Sequence, residues 1–261
     1  MRNGSLFPCA TFSFLLLISV AASSGQATTS KSSVNRALQD PDKPPTATPT
    51  FKKAFVIDDR LSVLRRKPDL QSEVIRRVRL GRAVYVMGIS KVASGGPRFY
   101  RVAVTRRTRG WIHEAAVAIK GHTGEDQRIL ELIETSQGTD KITLCRLLCQ
   151  SFSRSTLVAR SMLLLGEEAE RIAESLSQRI RRRLGEVNSA AAPVRDYYLS
   201  DAGLDRYSKL GVAFDFKEST AELVYDGKAY REVIKRFPAS HEAWVARERL
   251  DANAKKISGE R

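Results

Sequence analysis

Cysteine is scarce in this chain: three occur in 261 residues, at Cys9, Cys145 and Cys149. That number is too small for a disulfide scaffold, so the stability of the fold has to come from packing. Histidine is as sparse. His113, His122 and His241 are scattered, with no His-Glu-x-x-His and no Cys-x-x-Cys spacing, which excludes the common zinc signatures. No glycine-rich phosphate loop follows a strand pattern, and the abundant carboxylates, Glu167, Glu168, Glu170 and Glu174 among them, read as helix surface. Neither Cys145 nor Cys149 has a neighbouring histidine or a helix N-terminal setting that would activate a thiol. The expectation is a protein that is not an enzyme and holds no cofactor or metal.

Long apolar runs are nearly absent too. The run from Phe12 to Ala22 is preceded by Arg2 and followed by small residues up to Gly25-Gln26-Ala27, the pattern of a secretory signal peptide over residues 1–27. It falls short of the roughly 20 residues that span a bilayer, which disfavours a retained anchor. Cys9 precedes the run rather than following it, so lipidation is not expected. No later segment is apolar enough to cross a membrane. The expected location is periplasmic or secreted, at a bacterial cell envelope, with no integral span once the signal is removed.

Positive charge is what the chain has in excess, a net +15, and it is unevenly placed. Residues 52–120 hold 17 Lys and Arg against 5 Asp and Glu, whereas residues 121–261 hold 23 against 22. An electrostatic partner therefore belongs to the first block. Ahead of it, residues 28–51 are rich in Ser, Thr and Pro and poor in large apolar residues, the composition of an extended linker.

Within 52–120 short alternating runs are separated by turn signals, a strand pattern. "AFVID" and "LSVL" open it. "EVIRRVRLG" follows, with Val74, Val78 and Leu80 expected on one face, then "RAVYVMGIS", "RFYRVAV" and "RGWIHEAAVAI". Alternation puts Phe99, Arg101 and Ala103 on one side of their strand and Tyr100, Val102 and Val104 on the other. Five short strands in so few residues are expected to bury their inner faces by closing into a small barrel.

Leu61-Ser62-Val63-Leu64-Arg65, Leu80-Gly81, Val84-Tyr85-Val86, Phe99-Tyr100-Arg101-Val102 and Gly110-Trp111-Ile112 occur in the order that resembles the bacterial SH3-like (SH3b) domain. That resemblance implies a β-barrel with a shallow binding surface between loops, used on cell-wall peptides and glycans or on protein partners. Tyr100, Arg106, Arg107, Arg109 and Trp111 are the candidate ligand-binding residues. Of these, Trp111 is assigned mainly to packing at the barrel seam and the three arginines to contact with an anion.

From about Glu125 the apolar period becomes helical. In "ITLCRLLCQSF" Ile142, Cys145, Leu148, Cys149 and Phe152 share a face, which makes the cysteines two buried thiols or, alternatively, a strained disulfide within one helix, since Cα atoms four apart lie about 6 Å from each other. "STLVARSMLLLGEEAERIAESLSQRIRRRLG" reads as one or two helices, and its terminal cluster Arg179 to Arg183 reads as cations complementing the helix dipole. Residues 121–190 form this helical segment, and 188–194, "NSAAAPV", is a break.

Near the C-terminus Tyr230, Val233, Ile234 and Phe237 lie on one helical face, Pro238 stops the helix, and Ser240 is placed to cap the next one, which carries Ala243, Trp244, Ala246 and Leu250. This hairpin resembles the tetratricopeptide-like repeats of bacterial envelope proteins. "LDRYSKLGVAFDF" reads as an upstream helix separated from it by an insertion, and residues 195–256 form this region, with too few copies for a solenoid.

The whole reads as an α+β multidomain chain, a small SH3-like β-barrel followed by a tetratricopeptide-like helical region. The expected function is non-catalytic binding and scaffolding: the basic module recognises cell-wall peptide or glycan or another anionic envelope component, and the helical region binds a protein. The alternative is an accessory or targeting subunit for a separately encoded envelope enzyme. Export argues against nucleic acid as a partner.

Overall fold

The computed structural model describes residues 51–90, 96–186, 203–218 and 220–258. The expected signal peptide, all of the linker but Phe51, and the break at 188–194 lie outside the described residues. Every described residue belongs to one compact unit, Ala47–Arg261. Its architecture is α+β, an antiparallel sheet followed by helices.

The sheet has seven strands: β1 (Lys52–Val56), β2 (Val63–Arg65), β3 (Val74–Arg77), β4 (Ala83–Ile89), β5 (Phe99–Ala103), β6 (Arg109–His113) and β7 (Val117–Ile119), in the order β3-β2-β6-β5-β4-β1-β7. The expected count of five strands is too low. The run "RGWIHEAAVAI" is two strands, not one, because a 3₁₀ turn at Glu114–Ala116 bends it, with the His113 ring accepting the Ala115 N–H at 3.1 Å. After that corner β7 leaves β6 and pairs with β1 at the far end. The expected closure is also corrected: the ladder ends at β3 and β7, which do not pair with each other.

One face of this sheet carries Ala54, Val56, Leu64, Val84, Val86, Val102, Ile112, Val117 and Ile119 in a single buried cluster. All members of the cluster come from the sheet or its turns, so this inner face is buried by the sheet coiling over itself. Val78 belongs to it, but Val74, expected beside it, is exposed. A bulge between Leu64 and Arg65 breaks the β2–β3 register, and alternation does not carry across it.

The helices among the described residues are α1 (Glu125–Thr135), α2 (Gly138–Ser151), α3 (Val158–Glu186), α4 (Leu204–Lys209), α5 (Lys228–Arg236) and α6 (His241–Ser258). The stretch read as an insertion is a hairpin, β8 (Phe214–Lys217) with β9 (Glu222–Tyr225). The long run after residue 155 is one helix, α3, packed on α2, β9 and α5. Its buried positions Met162, Ala169, Ile172, Ala173, Leu176 and Ile180 make the stripe on which the other elements sit. Pro238 follows α5 closely, and the Ser240 hydroxyl accepts the Ala243 N–H at 3.1 Å at the start of α6.

Sheet and helices share a core. Phe55, Ile57 and Ala118 fall in the same cluster as the apolar faces of α1, α2 and α3, and the Phe55 and Phe152 rings stand 6.5 Å apart. Arg128 of α1 donates to the Val117 carbonyl of β7. Glu168, buried on α3, is held by Arg171 at 2.5 Å and accepts the Gly138 N–H, so a carboxylate sits at the N-terminus of α2 where the helix dipole favours it. Both thiols are free: Cys145 is buried and Cys149 half-buried, with Ser161 Oγ 3.8 Å from the Cys149 sulfur. Burial pushes the Cys145 thiol up to about 12.

Candidate binding face of the sheet

None of the seven strands contains an aspartate or a glutamate. Lys52, Lys53, Arg65, Arg76, Arg77, Arg101 and Arg109 lie on these strands without a carboxylate on any of them, and the ladder register decides which face each residue joins. Directly opposed residues in an antiparallel pair point to the same side. Arg101 stands opposite Trp111, and Trp111 opposite Arg65. Arg65 faces Val74 on β3, and Arg101 faces Gly88 on β4. One row on the outer face thus reads Val74, Arg65, Trp111, Arg101, Gly88 across five strands. A second row joins Arg109, Ala103, Tyr85 and Lys53 across β6, β5, β4 and β1.

Towards β1 and β7 this outer face is covered, since Phe55 and Ala118 lie against the helices. The rest is open. Arg101, Arg109 and Lys53 are exposed, Tyr85 is 47% exposed, and Trp111 and Arg65 are half-buried. Arg65 Nη1 donates to the Ser72 carbonyl at 2.8 Å, which holds the side chain without neutralising its charge. Arg101 and Arg109 make no ion pair with the described residues. Surface pairs screened by solvent contribute little singly, but charges grouped on one face without counter-charges raise the local concentration of anions.

The five expected site residues divide. Arg109 and Trp111 stand together on the outer face. Arg106 and Arg107 are exposed at the tip of the β5–β6 turn, where Val104 and Thr108 close the loop at 2.9 Å, and so border the same region. Tyr100 is not with them: it opposes Ile112, on the inner side, and packs against the buried cluster. Burial pushes its phenol above the ordinary tyrosine range, and the Glu114 and Glu125 carboxylates add to this. Trp111, expected mainly to pack at the seam, is half-buried on this outer face. Ile112, next to it, fills the core, and Trp111 belongs to neither buried cluster. Phe99 does pack, 1% exposed, edge-on to His113 with centroids 5.5 Å apart. Gly110, just before Trp111, is required, since a Cβ there would lie 2.7 Å from the Arg65 carbonyl oxygen.

Sequence reasoning counts Arg65 among the cations that attract an anion but misses Arg101, Lys53 and Tyr85 as members of the same surface. The alternation of β5 put Arg101 on a face, but only the register with β6 puts it beside Trp111.

The helical layer has a cleft of about 770 Å³ between α3, β9 and α6. Several of its charges are paired: Arg181 meets Glu222 at 2.5 Å, and Glu170 accepts from Asn253 at 2.8 Å with Arg249 3.7 Å away. Among the described residues no cluster of His, Cys, Asp and Glu could hold a metal ion, and no described helix is long and apolar enough to cross a membrane.

Compared with protein-family models, with curated proteins and with solved structures, the chain matches none of them.

Proposed function

We propose that this chain is a non-catalytic binding and scaffold protein of the bacterial cell envelope, reaching its place by export through the signal at residues 1–27. Residues 52–120 act as an SH3-like module whose open outer face binds an anionic envelope ligand. The helical region, with its tetratricopeptide-like hairpin, binds a protein. The observation that carries this reading is the outer sheet face itself, with Arg65, Arg101 and Arg109 around Trp111, Lys53 further along the same face, and no carboxylate on any strand. The SH3-like assignment draws support from a sheet that buries one face against itself, and the tetratricopeptide-like one from the α5–α6 hairpin with its four-residue connection. On that hairpin Trp244 is 54% exposed and stacked with His241, an aromatic anchor of the kind protein interfaces use.

The test is co-sedimentation of the purified full chain with isolated cell-wall sacculi over a salt series. Retention is expected at low ionic strength and is lost towards 1 M salt, where the Debye length shrinks to about 3 Å. The triple variant Arg65→Gln, Arg101→Gln, Arg109→Gln should lose about tenfold or more in retention, because three pairs at about 0.5 kcal/mol each add to about 1.5 kcal/mol. No retention of the unaltered protein at low salt refutes the reading, and a tight complex with an envelope enzyme in its place would favour the accessory-subunit role.

A further inference from the structure

We infer that the ligand class taken by the outer sheet face is an anionic glycan with charged groups on alternate sugar rings, one uncharged ring lying over Trp111 between Arg65 and Arg101. This rests on the reading of that face as an anion-binding surface.

Three features of the face carry the inference. The first is spacing. Arg65, Trp111 and Arg101 occupy directly opposed positions on β2, β6 and β5. Adjacent strands lie about 4.8 Å apart, so the two arginine positions are about 10 Å apart with the indole midway. The ligand that complements this order is charge, ring, charge, with one uncharged unit between successive anions. A nucleic-acid strand carries a phosphate on every unit, at about 3.4 Å of rise per strand in a duplex, which is denser than the arginines. An extended acidic peptide repeats a face about every 7 Å and brings no ring to meet the indole.

The second feature is the chemistry of the contacts. A sugar ring presents a C–H face that packs on an aromatic ring, and its hydroxyls stay in water at the edges. A ring carboxylate, sulfate or phosphate presents paired oxygens, the geometry a guanidinium fork accepts bidentately. Arg109, two residues before Trp111 on the same strand and therefore on the same face, is a third guanidinium beside the indole. The exposed Tyr85, in the row through Arg109, extends the aromatic surface towards β4.

The third is clearance. At the end of the row beyond Arg101 stands Gly88, where an added Cβ would meet nothing within 4 Å. Among the described residues nothing at that position blocks a polymer chain that continues past the two arginines.

The two tryptophans of the protein are Trp111 and Trp244, so a Trp244→Phe variant makes indole fluorescence a reporter of Trp111 alone. This variant is titrated at low salt with hyaluronate oligosaccharides, whose uronate and uncharged rings alternate, with poly-glutamate, and with a single-stranded oligonucleotide of matched charge; affinities, including those of the Trp111 variants, are read by isothermal titration calorimetry, and the indole spectrum is recorded in parallel. The expected result is a spectral shift with hyaluronate, absent with poly-glutamate, and affinity for hyaluronate about tenfold higher. Trp111→Ala should lower hyaluronate affinity about tenfold and leave poly-glutamate binding unchanged. If far-ultraviolet circular dichroism shows that Trp111→Ala has unfolded, Trp111→Leu, which keeps apolar volume without a ring, takes its place. Arg101→Gln alters only an exposed side chain and should weaken hyaluronate severalfold. Equal binding of hyaluronate and poly-glutamate, insensitive to Trp111, overturns the inference while leaving an anion-binding face. Tighter binding of the oligonucleotide overturns it in favour of nucleic acid. Absence of binding to all three polyanions overturns both the inference and the reading on which it rests.

Discussion

Replacing Gly166 with alanine should destabilise the protein, against the usual direction for a helix. In the middle of a helix an alanine is favoured over glycine by about 1 kcal/mol. Gly166 lies within α3, but a Cβ built on it would fall 2.3 Å from Cε1, 2.6 Å from Cζ and 2.8 Å from Cδ1 of Tyr230. Tyr230 is fully buried on α5, and its ring meets the Tyr225 ring edge-on at 5.9 Å. A ring enclosed in this way has little room to withdraw the ångström or so that the new methyl demands. Overpacking of this kind costs about 3 kcal/mol, which leaves a net loss of about 2 kcal/mol after the helix gain. For a unit of this size that is a fall of about 4–8 °C in Tm. Urea unfolding followed by circular dichroism reads it directly. In a Tyr230→Leu background the same Gly166→Ala change should be neutral or stabilising, giving a coupling of about 2 kcal/mol between the two sites. If Gly166→Ala is as stable as the parent or more so, the contact between α3 and α5 is not as described.

Phe55→Ala should cost about 3–5 kcal/mol in denaturant unfolding, because the ring is enclosed among helical residues beyond the sheet's own core; an unchanged midpoint would show that sheet and helices do not share a core. The Cys145 thiol, with its pKa raised from 9.0 to about 12 by burial, makes folding stability fall as pH rises from 9 towards 12. The sign follows from the raised value: the contribution is full below the unfolded pKa and is lost as pH climbs through the folded one, at about 1.4 kcal/mol per pH unit. A Cys145→Ala variant should therefore show a shallower alkaline decline, and an identical slope would refute the assignment.

Much of this fold is legible in one dimension because it is local. The change from period 2 to period 3.6 near residue 125 comes from which faces are apolar, and neighbouring residues carry it. The α5–α6 hairpin is marked by Pro238 and by the capping hydroxyl of Ser240, both acting within a turn of where they stand. The split of "RGWIHEAAVAI" was not visible, because a corner and a continued strand have the same alternation until the partner strands are known. Nor does "GEEAER" reveal that Glu168, and neither Glu167 nor Glu170, is the glutamate that is fully buried; that depends on Arg171 and on the N-terminus of α2, thirty residues away.

The sequence by itself determined the α+β class, the concentration of positive charge in residues 52–120, the apolar stripe that buries Cys145, and the absence of recognisable catalytic or metal-binding motifs. Composition and short-range periodicity set all of these. Only the tertiary structure decided that Trp111 stands between Arg65 and Arg101 on an open face, that Tyr100 looks the other way, and that Phe55 ties the sheet to the helices. Alternation tells which residues of a strand share a side, but register between strands far apart in the chain is fixed by packing of the whole core. The candidate site exists only once that register is set.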